Sequence, residues 1–439
     1  MALKVSVIGT GYLGATHAAC VSSMGFTVKG VDVDQAKIDS LIKSKVPFYE
    51  PGLEDLLAAE ISSGRLSFTT NFSEISDCDI HFICVGTPQQ TNSLAADLRY
   101  VDAALEAVAK VAKPGSLVVG KSTVPVGTAA RLRAKLHEIN PQVDLAWNPE
   151  FLREGFAVED TLRPNRLVVG VVKDGHEIKL KELYKKNLDE GTPWIRADLP
   201  TAELVKVAAN SFLATKISFI NAMAEICEAA GGDVTVLAKA IGYDPRIGNR
   251  FLQAGIGFGG GCLPKDIRAF MARAGELGVE QALEFLREID SINLRARQRV
   301  IELVRRDLSE DLKSKKIAVL GAAFKPDSDD VRDSPALDIS AQIQAAGATV
   351  VVHDPKAIEP ARKRFPALHY ADSIEDCLKD ADLVLHLTEW KVYREIDPTQ
   401  VKSLVKSPII IDGRNMLDRN KWIDAGWHFR ALGVTINQK

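Results

Sequence analysis

Residues 4–14 read K-V-S-V-I-G-T-G-Y-L-G, and this stretch decides the fold of the first part of the chain. A short apolar strand runs into a glycine-rich turn formed by Gly9, Gly11 and Gly14, and a helical stretch follows at once. A second strand at 27–31 then ends in Asp32. Strand, glycine turn, helix, strand and acid in this order are typical of a dinucleotide-binding βαβ unit.

Each residue type in this unit has a physical role. The first two glycines permit a tight turn and a close approach to a pyrophosphate, and the third lets the helix pack on the strand. The Asp32 carboxylate can accept hydrogen bonds from a ribose diol and would repel a 2′-phosphate. The sequence therefore predicts NAD, rather than NADP, as a bound cofactor.

Two further apolar strands, at 79–85 and 116–120, run into turns with small polar residues. The turns read G-T-P at 86–88 and K-S-T-V-P-V-G-T at 121–128. Ligands bind beyond the carboxyl ends of strands in open parallel sheets, which makes Thr87 and Thr123 candidate ligand contacts. The alternative is that each hydroxyl only stabilises its own turn.

A degenerate copy of the first unit occurs in the second half of the chain. K-I-A-V-L at 316–320 is followed by G-A-A-F-K, a predicted helix at 335–346, a strand at 349–353 and Asp354. This order indicates an internal repeat and a second α/β domain. The inserted P-D-S-D-D-V-R-D-S at 326–334 disfavours a second NAD site. A nucleotide-like ligand bound by Lys325 and Arg332 is the alternative.

Between the two α/β regions the chain is predicted to be helical. The resulting domain organisation is a Rossmann domain at 1–200, a central helical domain at 201–308 and a Rossmann-like domain at 309–439. The first central helix has apolar residues on more than one face, which predicts burial between domains and against another subunit. It carries Lys206 and Asn210, four positions apart and so on one face. We expect them to face an active site, although Lys206 could instead extend to water.

The central region also contains the best candidate nucleophile. Residues 258–267 read F-G-G-G-C-L-P-K-D-I, with Cys262 between a glycine run and Pro264. Glycines allow a substrate to approach the backbone, and proline suits the first turn of a helix. A helix N-terminus and the neighbouring Lys265 would favour the thiolate of Cys262. The pattern predicts a catalytic cysteine.

Composition excludes several classes of protein. The 439 residues are 46% hydrophobic and 26% charged with a net charge of −3, which favours neither nucleic-acid nor membrane binding. The scattered histidines indicate no metal site. A strand that starts at Lys4 leaves no room for a signal peptide, so we expect a cytoplasmic protein.

Taken together, these motifs resemble the UDP-glucose 6-dehydrogenase family, within the wider UDP-glucose/GDP-mannose dehydrogenase superfamily. The resemblance spans nearly the whole chain. Besides the stretches already quoted, it includes E-P-G-L at 50–53, C-V-G-T-P at 84–88, N-P-E-F-L-R-E-G at 148–155, L-V-K-V-A-A-N-S-F at 204–212, R-I-G-N-R-F at 246–251, F-K-P-D at 324–327, L-T-E-W at 387–390 and D-G-R-N at 412–415.

The resemblance implies a homodimeric enzyme that oxidises the C6 alcohol of a UDP-sugar to a carboxylate in two NAD-dependent steps. Cys262 would form a thiohemiacetal and then a thioester, which water hydrolyses. Lys206 and Asn210 would stabilise an oxyanion, and Lys206 or a water bound to Asp266 would take the proton. Thr123 and Glu150 would position the hydrolytic water.

The resemblance also implies two sets of binding residues. The NAD-binding set is Gly9, Gly11, Gly14, Asp32, Lys37, Thr87, Thr123, Glu154, Lys265 and Arg332. The substrate-binding set is Glu150, Phe151, Leu152, Arg153, Glu154, Lys206, Asn210, Arg246, Phe251, Leu252, Gln253, Ala254, Gly255, Gly259, Lys325 and Arg414. Arg246 would act across the dimer, and the alternative for Arg414 is a structural pair with a carboxylate.

Some positions depart from the commonest pattern of the family. Leu263 stands where many UDP-glucose members carry phenylalanine, and C-L-P-K-D resembles the GDP-mannose branch, whereas R-P-N-R-L-V-V-G at 163–170 resembles the UDP-glucose branch. We expect UDP-glucose. The alternatives are GDP-mannose or UDP-N-acetylmannosamine with the same chemistry, a two-electron hydroxyacid dehydrogenase that needs no Cys262, and a sugar-nucleotide sensor without activity.

Overall fold

The computed structural model describes residues 3–435. The described residues divide into two compact units, one formed by residues 3–209 with 268–280 and the other by 210–267 with 281–435. No helix within residues 3–435 is long and apolar enough to cross a membrane.

Within the described residues, the first unit is built on a sheet of eight strands. The strands are β1 (Lys4–Ile8), β2 (Thr27–Val31), β3 (Leu66–Thr69), β4 (Ile80–Ile83), β5 (Leu117–Gly120), β6 (Asp144–Trp147), β7 (Leu167–Gly170) and β8 (Trp194–Ala197). Their order is β3-β2-β1-β4-β5-β6-β7-β8. β4 and β5 are buried along their whole length, as expected for strands covered on both faces. Their burial explains why they read as uninterrupted apolar runs.

Helices connect these strands as the α/β pattern predicts. They are α1 (Tyr12–Ser23), α2 (Gln35–Ile42), α3 (Leu53–Ser62), α4 (Arg99–Val111), α5 (Thr128–Ile139), α6 (Ala157–Leu162), α7 (Ile178–Leu183) and α8 (Lys185–Asp189). The sheet is parallel from β3 through β6, but β7 pairs with β6 in the antiparallel direction and β8 runs parallel to β7. The motif pattern did not predict this reversal, which follows the short connection through α6.

The helical region is confirmed. It contains α9 (Leu199–Ala230), α10 (Val234–Gly242), α11 (Leu263–Glu276) and α12 (Glu284–Asp307). α9 ends where the sequence predicts, because Gly231 adopts a φ of 77° that favours glycine. The side chain of Asp233 then caps α10 by accepting from the Thr235 backbone N–H at 2.8 Å.

The second unit contains the predicted repeat. Its described strands are β9 (Lys316–Leu320), β10 (Thr349–His353), β11 (His369–Tyr370), β12 (Leu383–His386), β13 (Ile409–Asp412) and β14 (His428–Ala431), and its further helices are α13 (Pro335–Ala345), α14 (Ile358–Arg364), α15 (Ile374–Leu378), α16 (Lys391–Arg394), α17 (Pro398–Val401) and α18 (Arg419–Asp424). The sheet order is β11-β10-β9-β12-β13-β14, which repeats the order of β1 to β6, and the neighbouring strands are parallel. The fold class of two Rossmann-like domains joined by helices is confirmed.

The acid that ends β10 differs from its counterpart after β2. Asp354 accepts from the backbone N–H groups of Ala322 at 2.8 Å and Ala357 at 2.8 Å, and from the Trp390 indole at 3.1 Å. Its side chain is therefore committed to holding the enlarged turn together. The absence of an NAD site from the second domain stays a prediction.

Candidate active site

The glycine turn after β1 has the geometry that a dinucleotide requires. Gly9 adopts a φ of 86°, and its N–H donates to the Val31 carbonyl at 2.8 Å. A Cβ on Gly14 would lie 1.7 Å from the Gly9 oxygen, so α1 packs directly on the turn. A Cβ on Gly11 would meet no described atom within 4 Å, so this side of the turn is open to a pyrophosphate.

Asp32 is fixed beside this turn. Its Oδ2 accepts from the Thr10 N–H at 2.8 Å and from Lys37 Nζ at 2.8 Å, and its Oδ1 accepts from the Asp34 N–H at 3.1 Å. Burial opposes ionisation, but these donors hold the pKa of Asp32 below its usual value. Asp32 is therefore a preoriented anion, suited to a ribose diol and unsuited to a phosphate.

The turns after β4 and β5 lie side by side. Thr87 is buried, and its hydroxyl donates to the backbone carbonyl of Thr123 at 2.8 Å. For Thr87 this bond supports the turn-stabilising alternative. A direct contact of either threonine with a ligand stays a prediction.

Glu150 and Lys206 form a buried ion pair. Lys206 Nζ lies 2.8 Å from Glu150 Oε1, and the two side chains are only 6% and 13% exposed. Burial opposes ionisation of Glu150, but the Lys206 ammonium holds its pKa below the usual value. Glu150 Oε2 also accepts from the Leu152 N–H at 2.6 Å, and Lys206 Nζ lies 5.8 Å from the Phe151 ring centroid. Lys206 therefore does not extend to water.

Glu50 binds the loop that follows Glu150. It belongs to the E-P-G-L motif at 50–53, which predicted no role for it. Glu50 is buried, and it accepts from the N–H groups of Gly155 at 2.7 Å and Ala157 at 2.8 Å. It also accepts from the hydroxyl of Tyr12, the first residue of α1. One carboxylate thus joins the dinucleotide turn to the loop of predicted sugar-binding residues, within which Arg153 pairs with Asp160 at 2.6 Å.

In the second unit, Cys262 lies immediately before α11. The Asp266 N–H donates to the Cys262 carbonyl at 2.9 Å, which makes Cys262 the residue that precedes the first helical turn. Among the described cysteines, Cys262 is exposed and the other five are buried. The prediction of an accessible thiol at a helix N-terminus is confirmed.

Asp266 anchors two of the predicted site residues. Its Oδ2 accepts from the Asn210 amide at 2.7 Å, and its Oδ1 lies 2.6 Å from Lys265 Nζ. The Asp266 side chain is 3% exposed. The tertiary fold therefore brings α9 and the cysteine loop together through this carboxylate.

The glycine run before Cys262 packs against the insertion at 326–334. The Gly260 N–H donates to the Arg332 carbonyl at 2.9 Å, and a Cβ on Gly261 would lie 2.2 Å from the guanidinium carbon of Arg332. A Cβ on Gly259 would lie 2.2 Å from the Asp333 oxygen. Arg332 itself pairs with Asp330 at 2.7 Å. A side chain at 261 would therefore require the Arg332 guanidinium to move.

Arg414 connects three loops of the second unit. It donates to the carbonyls of Leu387 at 2.7 Å, Phe324 at 3.0 Å and Gly257 at 3.2 Å, and it lies 3.3 Å from Glu389. The alternative prediction for Arg414, a structural pair with a carboxylate, is therefore correct in part. The larger role of Arg414 is to hold carbonyls of separate loops, so any substrate contact would come in addition.

The segment at 251–255 is similarly anchored. Phe251 has a φ of 64°, and the Gly255 N–H donates to the Asn221 side chain at 2.8 Å. Leu252 and Ala254 are buried. Gln253 is exposed, and Lys325 Nζ lies 5.4 Å from the Phe324 ring centroid. Arg246 is 86% exposed and pairs with Asp244 at 2.6 Å.

Three family models match successive parts of the chain. They are described as UDP-glucose/GDP-mannose dehydrogenase family domains: an NAD binding domain at residues 3–188, a central domain at 200–295 and a UDP binding domain at 318–419. The chain belongs to the UDP-glucose/GDP-mannose dehydrogenase family. It is accordingly an oxidoreductase with an NAD-binding domain.

Individual relatives are similar over almost their whole length. A UDP-glucose 6-dehydrogenase from Rhizobium meliloti is 38% identical, covering 98% of this chain and 99% of the relative. A UDP-glucose 6-dehydrogenase from Bacillus subtilis is 39% identical, covering 98% and 93%. The solved structure of a UDP-glucose dehydrogenase from Pyrobaculum islandicum is 36% identical and superposes with a TM-score of 0.90, covering 99% and 98%.

Sequence reasoning missed several supporting residues of this dehydrogenase. Glu50, Lys121, Asn148 and Asn221 are all buried polar residues that bind other segments of the chain. Lys121 carried a usable signal, because it directly follows a buried strand in a sheet whose ligands bind at that edge. Glu50 and Asn148 lie in loops and Asn221 lies on α9, and nothing local indicates which distant groups they bind.

Proposed function

We propose that the protein catalyses the NAD-dependent four-electron oxidation of UDP-glucose to UDP-glucuronate, with Cys262 as the nucleophile. The observation that carries this proposal is the exposed thiol at the N-terminus of α11, while the other described cysteines are buried. A simple two-electron alcohol oxidation would need no such thiol. Bound NAD supplies the hydride acceptor in each of the two oxidations.

Cys262 acts on the aldehyde that the first oxidation produces. Loss of hydride directly from an aldehyde would leave an acyl cation, whereas loss of hydride from the tetrahedral adduct of a nucleophile re-forms a carbonyl group. The sulfur adds to the carbonyl carbon, and the thiohemiacetal then loses hydride and a proton to become a thioester. Water attacks the thioester carbonyl, and the C–S bond breaks to give the carboxylate and the thiol again.

Proton transfer and charge stabilisation are assigned to residues of two buried pairs, Glu150–Lys206 and Asn210–Asp266. Lys206 and Asn210 stabilise the oxyanion, and Lys206 or a water on Asp266 takes the hydroxyl proton. Donors aimed at a developing oxyanion typically contribute about 3–4 kcal/mol each to the barrier. Thr123 and Glu150 orient the hydrolytic water, a role supported for Glu150 by the pairing that keeps it ionised.

The remaining residues bind the two ligands. NAD is assigned to the glycine turn and Asp32 with the cofactor set named above, and the open side of Gly11 fits a pyrophosphate. The UDP-sugar is assigned to the loop at 150–154, the segment at 251–255, Gly259, Lys325, Arg246 and Arg414. We propose UDP-glucose as the substrate because the relatives named above act on it. GDP-mannose is the alternative substrate to be tested beside it.

The deciding experiment counts NADH per sugar nucleotide, with UDP-glucose and GDP-mannose run in parallel. We expect two NADH per UDP-glucose, and no net oxidation to the acid by Cys262→Ser. Cys377→Ser, at a buried thiol on α15 that donates to the Val351 carbonyl at 3.3 Å, is the matched control and should still form the acid. One NADH per sugar, or an active Cys262→Ser variant, would contradict the thioester route, and two per GDP-mannose would change only the substrate.

We also propose that the enzyme is a cytoplasmic homodimer with functional modules at 1–200, 201–308 and 309–439. Along α9, Phe212, Phe219 and Ile226 recur every seven residues and are 66%, 47% and 57% exposed. Such a contiguous apolar stripe supports a protein interface. Sedimentation should give a dimer for the wild type and a monomer for Phe212→Asp with Phe219→Asp. Val392→Asp, at another exposed apolar position, should remain dimeric.

A further inference from the structure

Lys121 is a buried cation that the proposed mechanism does not use. It directly follows β5 and its residue is 7% exposed. Its Nζ donates to Asn148 Oδ1 at 3.0 Å, and the same oxygen accepts from the Tyr184 hydroxyl at 3.0 Å. The Asn148 amide in turn donates to the Val168 carbonyl at 2.8 Å. Asn148 is thereby locked in one orientation, and it fixes the Lys121 ammonium at the carboxyl edge of the first sheet.

The groups that face Lys121 come from several elements of the same unit. They are His17 on α1, Cys84 after β4, Glu150 after β6, Tyr184 after α7 and Lys206 on α9. Burial lowers the pKa of His17, raises that of Cys84 to about 12 and raises that of Tyr184. These three are therefore neutral at physiological pH. The charges that Lys121 meets are those of Glu150 and Lys206.

Lys206 Nζ contacts Glu150 directly at 2.8 Å, and the Lys121 ammonium, held by Asn148 two positions before Glu150, interacts with both groups at longer range. Burial lowers the pKa of Lys121 to about 8; Glu150 opposes this shift and Lys206 adds to it. Interaction between two charges is mutual, so the charge on Lys121 also makes Lys206 harder to protonate. Lys121 further contributes, after Lys206, to keeping Glu150 ionised.

We propose that Lys121 is a positioning residue for the Glu150–Lys206 pair: while its ammonium is protonated, its charge helps to keep Glu150 an anion and makes Lys206 release its proton more readily. This inference rests on the proposed function, because Lys206 is the group to which proton transfer is assigned there. Lys121 needs no contact with substrate or cofactor for this role. It acts through the two residues that it faces.

The pH dependence of kcat tests the role of the charge. Lys121→Met removes the charge and roughly keeps the side-chain length, so protonation of Lys206 becomes easier. The limb of the kcat–pH profile that reflects titration of Lys206 then moves to higher pH. The direction is the same whether the active form of Lys206 is the amine or the ammonium. We expect a shift of about one pH unit, the scale of a like charge in a buried site. Lys121→Gln, which keeps a donor for Asn148, should shift the limb in the same direction.

Tyr184→Phe is the matched control, because it removes the other hydrogen bond to Asn148 without changing any charge. It should lower stability while leaving the limb at its wild-type pH. A limb that stays in place or moves to lower pH in both Lys121 variants would overturn the proposal. So would an equal shift in Tyr184→Phe, because that would indicate a purely structural effect.

A second readout does not depend on activity. Labelling of the lysine side chains with 13C, with the Lys206 resonance assigned by its loss in Lys206→Arg and followed by NMR over a series of pH values, reports the pKa of Lys206 in each variant. That pKa should be higher in Lys121→Met and Lys121→Gln than in the wild type, and an unchanged or lower value would refute the inference. A wild type that forms no NADH from UDP-glucose would refute the proposed function, while the labelling would still decide the effect of Lys121.

Discussion

Replacing Glu50 by glutamine should uncouple the loop after Glu150 from the dinucleotide turn. The Glu50 carboxylate accepts from the backbone N–H groups of Gly155 and Ala157 and from the Tyr12 hydroxyl. Glutamine has the same shape, but its amide nitrogen would face one of these donors. That donor would then lose its carboxylate acceptor in a buried place.

The magnitude follows from the number of broken contacts. A buried donor left without a partner costs about 1–3 kcal/mol, and hydrogen bonds to a charged acceptor contribute about 1.5–3 kcal/mol. We therefore expect Glu50→Gln to destabilise the first unit by about 2–4 kcal/mol. For a unit of this size that is a fall in Tm of roughly 5–15 °C. Because the freed loop carries Glu150, kcat should fall as well.

Scanning calorimetry and steady-state kinetics on the same preparations measure both effects. Glu60→Gln is a matched control, because Glu60 is equally buried but binds Ser22 at 2.7 Å and Arg65 at 3.0 Å, away from the loop. It should lower Tm and leave kcat near that of the wild type. If Glu50→Gln kept the wild-type Tm and kcat, or if Glu60→Gln reduced kcat equally, the assigned role of Glu50 would be wrong.

Three further predictions concern other residues. Asp32→Ala should raise the KM for NAD at least about tenfold and reduce the preference over NADP, measured by initial rates with each cofactor, since it removes a preoriented charged acceptor. Burial raises the pKa of Glu203 to about 7 from the ordinary 4.5, so the wild type should lose up to about 3 kcal/mol of stability relative to Glu203→Gln as the pH rises between these values; a pH-independent difference in denaturant unfolding would contradict this. Arg414→Lys should lower the Tm of the second unit by several degrees and raise the KM for the UDP-sugar, because one ammonium nitrogen cannot reach the three carbonyls that separate nitrogens of the Arg414 guanidinium contact. A wild-type Tm would refute that role.

The amino-acid sequence alone determined the elements and the order in which they occur. Strand, glycine turn, helix and acid are local patterns, so the unit ending in Asp32 and its repeat ending in Asp354 could be read without a structure. The start of α11 after Cys262 was equally readable, because glycine, proline and the helix termini act over a few residues. The same patterns pointed to the family that the comparisons then showed.

Only the tertiary structure decided which distant residues meet. Glu50 binds Gly155 across 105 positions, Asn210 meets Asp266 across 56, and Arg414 reaches Gly257 across 157. The reversed direction of β7 was likewise absent from the motifs. Such pairs depend on strand order and on the packing of loops, which place a buried polar group beside whatever donor or acceptor lies within reach. A buried polar group must find a partner, but its own sequence neighbourhood does not say which one.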